Sequence, residues 1–321
     1  MNRLLPALLI VALAAGTLFA SDTLTLCSFN IKWLGYSDER NCEALALVLS
    51  NYDVIVLQEI VAPPYPGAFP DGEPYEPDPE VAAFFDEMTQ VRGYQYLLSE
   101  EDTGRQILNH QNSSRTEWFA IFYDPAKLQT AQELPRGFIA YDVTAHGVFD
   151  RVPYAFSLRH TETGFDFVLI SVHLHQGHGA DDDDKRAEEL QGIANWVSSQ
   201  TSGETHYIVL GDMNFDDCDE VLAIVPDRFR FLNPDGSGNC LTTNTSLVAG
   251  YPYDNVLYTT QVRPDLTVGM RVIDLVTGLA AVWNPLGEPI EEAYDELDFV
   301  QQISDHNPIV FVLQIPLGDW D

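Results

Sequence analysis

Four short stretches carry residues suited to a bound cation and a phosphate: Phe29-Asn30, Leu57-Gln58-Glu59, Gly211-Asp212-Met213-Asn214 and Ser304-Asp305-His306-Asn307-Pro308. Three of them close an apolar run that reads as a buried strand, and the fourth opens one. Carboxylates, amides and imidazoles at strand ends can converge on one crevice while the strands hold them rigidly. Hydrolysis of a phosphodiester asks for a hard cation on a phosphate oxygen, an activated water and help for the charge on the leaving oxygen. Asn30, Glu59 and Asp305 offer the all-oxygen ligation that magnesium or manganese prefers. Asp212, Asn214, His173 and His306 supply the rest. Alone, a strand-end Asp is more often a cap and a lone His more often structural; it is their joint occurrence that favours chemistry.

The elements between these stretches give them a reason to meet. Leu24 to Phe29 reads as a strand, Asp38 to Leu49 as a helix with apolar residues at Cys42, Leu45, Val48 and Leu49, and Val54 to Leu57 as a second strand. Such a unit joins parallel strands, so Asn30 and Glu59 emerge at one edge. The layout repeats downstream: Phe165 to Val172 leads to His173, Lys185 to Val197 is helical, and Tyr207 to Leu210 leads to Asp212. Asp254 precedes Val256-Leu257-Tyr258, and Asp305-His306 precedes Ile309 to Leu313; strands running antiparallel to the others would begin at that same edge. Pro63 to Glu80 reads as a surface loop. Asp181 to Asp184 reads as a solvated, helix-starting acidic run, because it lacks the spaced alternation of a calcium-binding hand.

The chain has 321 residues, which suits one large α/β domain, expected over 21–321. Residues 1–20 have a basic tip at Arg3, an apolar run from Leu4 to Ala20 and small residues at its end, as a secretory signal does; the run is short for a membrane span. A secreted or periplasmic location follows. The four cysteines, Cys27, Cys42, Cys218 and Cys240, then allow two bridges, and neighbourhood in sequence favours Cys27 with Cys42 and Cys218 with Cys240. A formal charge of −33 speaks against a basic nucleic-acid-binding surface and for a solvated exterior, leaving local charge in the crevice to decide what binds.

The ordered series of motifs resembles the endonuclease/exonuclease/phosphatase superfamily, and within it is most similar to the deoxyribonuclease I group. Besides the four stretches, the resemblance rests on Arg115-Thr116-Glu117-Trp118-Phe119, Phe149-Asp150-Arg151-Val152-Pro153, Ser171-Val172-His173-Leu174 and Tyr253-Asp254-Asn255-Val256, and it spans roughly Leu24 to Leu313. It implies a four-layer α/β/β/α sandwich of two mixed β-sheets with the active site at one sheet edge. It also implies that Glu59 is the principal metal ligand with Asn30 and Asp305 near the same ion. Asp212 and Asn214 would orient water or hold a phosphate oxygen. His306 would be oriented by Asp254, His173 by Glu117, and Arg151 would reach a phosphate oxygen.

His at position 173 separates the chain from abasic-site endonucleases, which typically carry Asn there. The expected activity is a secreted, magnesium- or manganese-dependent endonuclease that cuts DNA with little sequence preference to 5′-phosphate ends, acting as a monomer, with RNA as a further substrate class. A structural calcium near Asp235 stays open. The alternatives are a secreted sphingomyelinase-like phosphodiesterase, for which Pro64-Tyr65-Pro66, Phe69 and Tyr75 would be the membrane-docking residues, and a non-catalytic binding protein on the same fold.

Overall fold

The computed structural model describes residues 22–36, 39–103, 117–140, 147–232, 240–262 and 269–315. The leader 1–20, Asp38, Arg115, Thr116 and Asp235 lie outside the described residues. Among the described residues no helix is long and apolar enough to cross a membrane.

One sheet contains β1 (Asp22–Leu34) and β2 (Val54–Ile60), paired in parallel as the first crossover requires. Between β2 and the next long strand lies a hairpin of β3 (Gly67–Ala68) and β4 (Pro74–Tyr75). The sheet continues with β5 (Gln95–Leu98) and β6 (Trp118–Tyr123) on one side of β2, and with β14 (Arg271–Val272) and β15 (Ile309–Ile315) beyond β1. The second sheet contains β7 (Leu128–Thr130), β8 (Gly137–Phe138), β9 (Tyr154–His160), β10 (Asp166–His173), β11 (Tyr207–Asp212), β12 (Phe229–Phe231) and β13 (Asp254–Thr259). Here β10 and β11 are parallel, while β13 runs antiparallel to β11, as β15 does to β1. Both sheets are therefore mixed.

Strand alternation sorts the side chains into layers. Leu24, Leu26, Val54, Val56, Phe119 and Ile121 face inward and share one apolar core with the second sheet. Cys27, Phe29, Ile31, Ile55 and Leu57 face outward, into a second core under helices α1 (Cys42–Leu49) and α2 (Pro79–Asp86). Helix α3 (Ala180–Ser199) buries Leu190, Ile193, Ala194 and Val197 on the other flank. The result is an α/β/β/α sandwich. Toward the strand ends that carry Asn30, Glu59 and His173 the inward positions turn polar: Gln58 Nε2 donates to Ser28 Oγ at 3.3 Å and, across the gap between sheets, to Ser171 Oγ at 3.1 Å.

Three expectations are corrected. Helix α3 begins at Ala180, ahead of Lys185, so Asp181, Asp182 and Asp183 form its first turn, where the helix dipole favours acids. Pro63 to Glu80 is not simply a surface loop. Phe69 and Tyr75 pack on Trp118, with centroids at 6.0 and 5.2 Å, and Glu80 accepts the backbone N–H groups of Gly35 and Arg40 at 2.8 and 2.7 Å. Cys218 and Cys240 are bonded, but Cys27 and Cys42 are free. Cys42 opens α1 beside Glu80, whereas Cys27 is buried in mid-strand against Ile55 and Val310.

The Cys218–Cys240 bridge closes a loop of sequence separation 22, which corresponds to about 3 kcal/mol of unfolded-state entropy. The double variant Cys218→Ala/Cys240→Ala should lose about that much in urea denaturation, and an unchanged midpoint would show that the loop needs no tether.

Candidate active site

The second sheet sets three site residues on one rung. His173 closes β10 opposite Asp212 at the end of β11, and Asp212 lies opposite Asp254 at the start of β13. Directly opposed residues on neighbouring strands project to the same face about 5 Å apart. The first sheet contributes Asn30 from β1, Glu59 from β2 and the Asp305-His306 pair just before β15. Ser304 ties that pair down: its Oγ donates to the Asn30 carbonyl at 2.9 Å and accepts the His306 N–H at 3.0 Å.

Regular strand geometry would point these groups to alternating faces, and the chain breaks it where it must. Lys32, Trp33, Glu59 and Asn214 adopt left-handed backbone angles, φ 54°, 47°, 61° and 53°. The pairing of β1 with β2 shifts register between Asn30 and Leu34, and that of β2 with β6 between Leu57 and Ile60. Bulges of this kind re-aim a side chain. Gly211, at φ 141°, is required where it stands, because a Cβ there would lie 2.2 Å from the Val172 carbonyl oxygen.

The polar side chains form a buried chain of alternating acid and imidazole. Glu117 bonds His173 Nδ1 at 2.9 Å; His173 Nε2 lies 3.5 Å from Asp212 Oδ2; His306 Nε2 lies 3.5 Å from the same oxygen; and His306 Nδ1 bonds Asp254 at 2.7 Å. Asp212 also accepts Asn30 Nδ2 at 2.9 Å and the Asn214 N–H at 2.9 Å. Asn30 donates in addition to Glu59 at 2.8 Å, and Glu59 accepts the Trp33 N–H at 3.1 Å. Arg151 pairs with Glu117 at 2.5 Å and reaches the Leu174 carbonyl at 3.3 Å; Asn214 Nδ2 donates to that same carbonyl at 3.0 Å. All ten residues read from the sequence as site candidates thus lie in one connected cluster.

Burial works against every charge here, and the pairings decide the outcome. For His306 burial favours the neutral ring, but Asp254 and Asp212 outweigh it and hold the imidazole well above its ordinary value. His173 is raised against burial and Arg151 by Glu117 and Asp212. Glu117 and Asp212 are lowered despite burial, the first by His173 and Arg151, the second by His306 and His173. Glu59 is raised, with burial dominating.

The donor set fits a divalent cation. Glu59, His173 and Asp212 present ligand atoms within 4.8 Å of one another, all on buried residues. Asp305 Oδ1 is buried without a hydrogen bond, while the other carboxylate oxygen pairs with Lys32 Nζ at 2.7 Å. A second acidic group, Asp183, Asp216 and Glu220, also converges, yet buried Arg186 bonds Asp183 at 2.6 Å and Glu220 at 2.5 Å.

Sequence reading passed over Lys32 and Glu189. Lys32 sits in an apolar run that gave no chemical signal, yet its ammonium lies at Asp305 and 4.4 Å from the Trp33 ring centroid. Glu189, on the inner face of α3, accepts the backbone N–H of Asp150 at 2.8 Å and of His175 at 2.7 Å, fixing the segments that carry Arg151 and His173. Its signal was a carboxylate in the otherwise apolar stripe of Leu190, Ile193 and Val197.

Neither a protein-family model nor a curated protein matches the chain. Solved structures do. An endonuclease/exonuclease/phosphatase protein of Bacteroides vulgatus aligns over 92% of this chain and 100% of its own at 16% identity and TM-score 0.57. A mannosyl-6-phosphatase of Bacteroides thetaiotaomicron aligns over 90% and 99% at 16% identity and TM-score 0.57. TDP2 of D. rerio, solved with a single-strand DNA product, aligns over 91% and 99% at 14% identity and TM-score 0.54. The chain therefore has the fold of endonuclease/exonuclease/phosphatase proteins, the deoxyribonuclease I-like sandwich. At this identity the likeness concerns the fold.

Two predictions follow from the geometry. Glu117→Gln and Asp254→Asn should each lower turnover about 10–100-fold, since each removes the acid that orients an imidazole; a folded variant with parental turnover would show that pair to be idle. Burial pushes Glu189 up to about 7 from 4.5, so its stabilising effect is complete below 4.5 and lost as the pH rises through about 7. The stability difference between parent and Glu189→Gln should therefore move in the variant's favour over that window, by up to about 3 kcal/mol. A difference independent of pH would refute this.

Proposed function

We propose that the protein is a divalent-metal-dependent phosphodiesterase that cleaves DNA internally with little sequence preference, leaving 5′-phosphate ends. The observation that carries this reading is the acid–imidazole chain meeting at Asp212 beside Glu59. Magnesium or manganese, held by Glu59 with Asp305 and with His173 or Asp212 within reach, would supply charge neutralisation at a phosphate oxygen. Asn30 keeps the Glu59 and Asp212 carboxylates aligned through its amide nitrogen. Asp212, anchored by Asn30 and the Asn214 N–H and kept ionised by the two histidines, holds and polarises the attacking water. Glu117 and Asp254 each take the Nδ1–H of one ring and favour its protonated form, in which the Nε2–H groups donate, one to a phosphate oxygen and the other to the leaving oxygen. Arg151 adds positive charge on the Glu117 side of the site.

DNA is favoured as substrate by the His173–Glu117 and His306–Asp254 pairs together with Arg151, and by the neighbour solved with a DNA product. Of the aromatics named for the lipid alternative, Phe69 and Tyr75 pack on Trp118, while Tyr65 stays exposed. The Cys218–Cys240 bridge and the apolar leader support a secreted or periplasmic enzyme.

One preparation offered plasmid DNA, RNA and sphingomyelin with magnesium or manganese should nick and linearise the plasmid, and EDTA should stop it. His173→Ala and His306→Ala should each lose most of the activity while remaining folded. Hydrolysis of sphingomyelin alone, or parental activity in both histidine variants, would overturn the reading.

A further inference from the structure

Arg40 stands outside the cluster of catalytic candidates and holds two of its segments at once. The half-buried side chain turns every hydrogen bond of its two Nη groups onto backbone. Nη2 donates to the Lys32 carbonyl, and Nη1 donates to the carbonyls of Val300 at 3.0 Å and Ile303 at 2.5 Å. Val300 and Ile303 lie at the end of the helix Glu296–Gln302, where the last carbonyls lack partners inside the helix and a cation suits the dipole. Asp305 follows two residues later. The backbone beside Arg40 is fixed as well: the Asn41 N–H donates to the Gln302 carbonyl at 2.9 Å, and Glu80 accepts the Arg40 N–H at 2.7 Å.

The contact with Lys32 reaches further than one carbonyl. The Lys32 carbonyl and the Trp33 N–H belong to a single peptide unit, which is trans, so the two groups point in opposite directions. Arg40 takes the oxygen on one side, and Glu59 Oε2 takes the N–H at 3.1 Å on the other. Both residues of this unit are left-handed, a conformation that persists where surrounding contacts impose it. A guanidinium on the oxygen also polarises the unit and strengthens its N–H as a donor to the Glu59 carboxylate. Lys32 itself pairs with Asp305 at 2.7 Å, so one turn of chain touches both acids.

We propose that Arg40 is a positioning residue that sets Glu59 and Asp305 in place for a divalent cation, acting on Glu59 through the Lys32–Trp33 peptide and on Asp305 through the Ile303 carbonyl. This rests on the reading of those two carboxylates as metal ligands and deepens it, because part of the affinity for the ion then resides in a side chain whose Nη donors are committed to carbonyls. The planar fork is what the role needs. A lysine keeps the charge but cannot hold three carbonyls in a fixed arrangement.

Isothermal titration of the metal-free protein with manganese reads this without turnover. Glu59→Gln identifies the heat that belongs to the site, as the binding lost with that carboxylate. Arg40→Lys and Arg40→Ala should each bind manganese there about 10–100-fold more weakly than the parent. In the Glu59→Gln background, Arg40→Lys should leave the remaining binding unchanged. Parental affinity in Arg40→Lys would assign any effect to charge, and parental affinity in folded Arg40→Ala, even with a lowered urea midpoint, would make Arg40 a structural tie only. Either result overturns the proposal, as does an equal loss with and without the Glu59 carboxylate, unaltered binding in Glu59→Gln, or a parent that binds no manganese. Plasmid DNA added with the metal tests the enzyme reading separately. Weakened manganese binding in the variants with no cleavage by the parent keeps the positioning role and removes the nuclease; cleavage by the parent with parental binding in the variants does the reverse.

Discussion

Asp212 is the residue on which the site is built, because two imidazoles address one of its oxygens at 3.5 Å. A buried carboxylate is costly unless it is paired and hydrogen-bonded. Asp212 is both, through His173, His306, Asn30 and the Asn214 N–H. The pairing depends on register. His173, Asp212 and Asp254 share a rung of the second sheet, and a slip of one residue on any of the three strands would turn its member to the helix side. The apolar core between the sheets fixes that register. Residues remote from the chemistry, such as Phe156, Ile208 and Val256, are thus what make the acid–imidazole chain possible.

The strained residues tell a related story. A strand can present polar groups on one face only at every second position, yet the site needs Asn30, Glu59 and a backbone N–H from Trp33 within one cluster. Left-handed angles at Lys32, Trp33 and Glu59 solve this by folding β1 and β2 over themselves at their ends. Each such residue costs on the order of 1–3 kcal/mol, and it persists where surrounding structure over-determines it. Glu59 illustrates the condition: its N–H faces Glu117, and its carboxylate is held by Asn30 and Trp33.

What the sequence made legible was the set of strand-end motifs and the two repeated crossovers, because period-2 burial and helical spacing are local signals. From these came the parallel pairings of β1 with β2 and of β10 with β11 and the meeting of the polar residues, while the two mixed sheets were implied by the resemblance. Less legible was whatever depended on distant packing. The Pro- and Gly-rich stretch after Ala62 looked like solvent-facing loop because its aromatics are isolated in sequence; only the fold shows that Trp118 gathers them. Nearness in sequence suggested a Cys27–Cys42 bridge, but Cys27 is buried in mid-strand against Ile55 and Val310 while Cys42 opens α1 at the Glu80 carbonyl. Helix α3 begins a turn ahead of Lys185, its acidic run being part of the helix, with buried Arg186 pairing Asp183 and Glu220.

The charge of the site brings the acidic surface and the chemistry into one account. Glu59, Glu117, Asp212, Asp254 and Asp305 are five carboxylates, and among the described residues Lys32 pairs with Asp305 and Arg151 with Glu117, while Arg40 acts on Asp305 and Glu59 through space. His173 and His306 are raised by these acids and add positive character to the site. Asp305 Oδ1, which has no hydrogen bond, and the close Glu59 and Asp212 carboxylates are oxygen donors of the kind a divalent cation takes. With a net charge of −33 over the whole chain, local charge in the site decides what binds there.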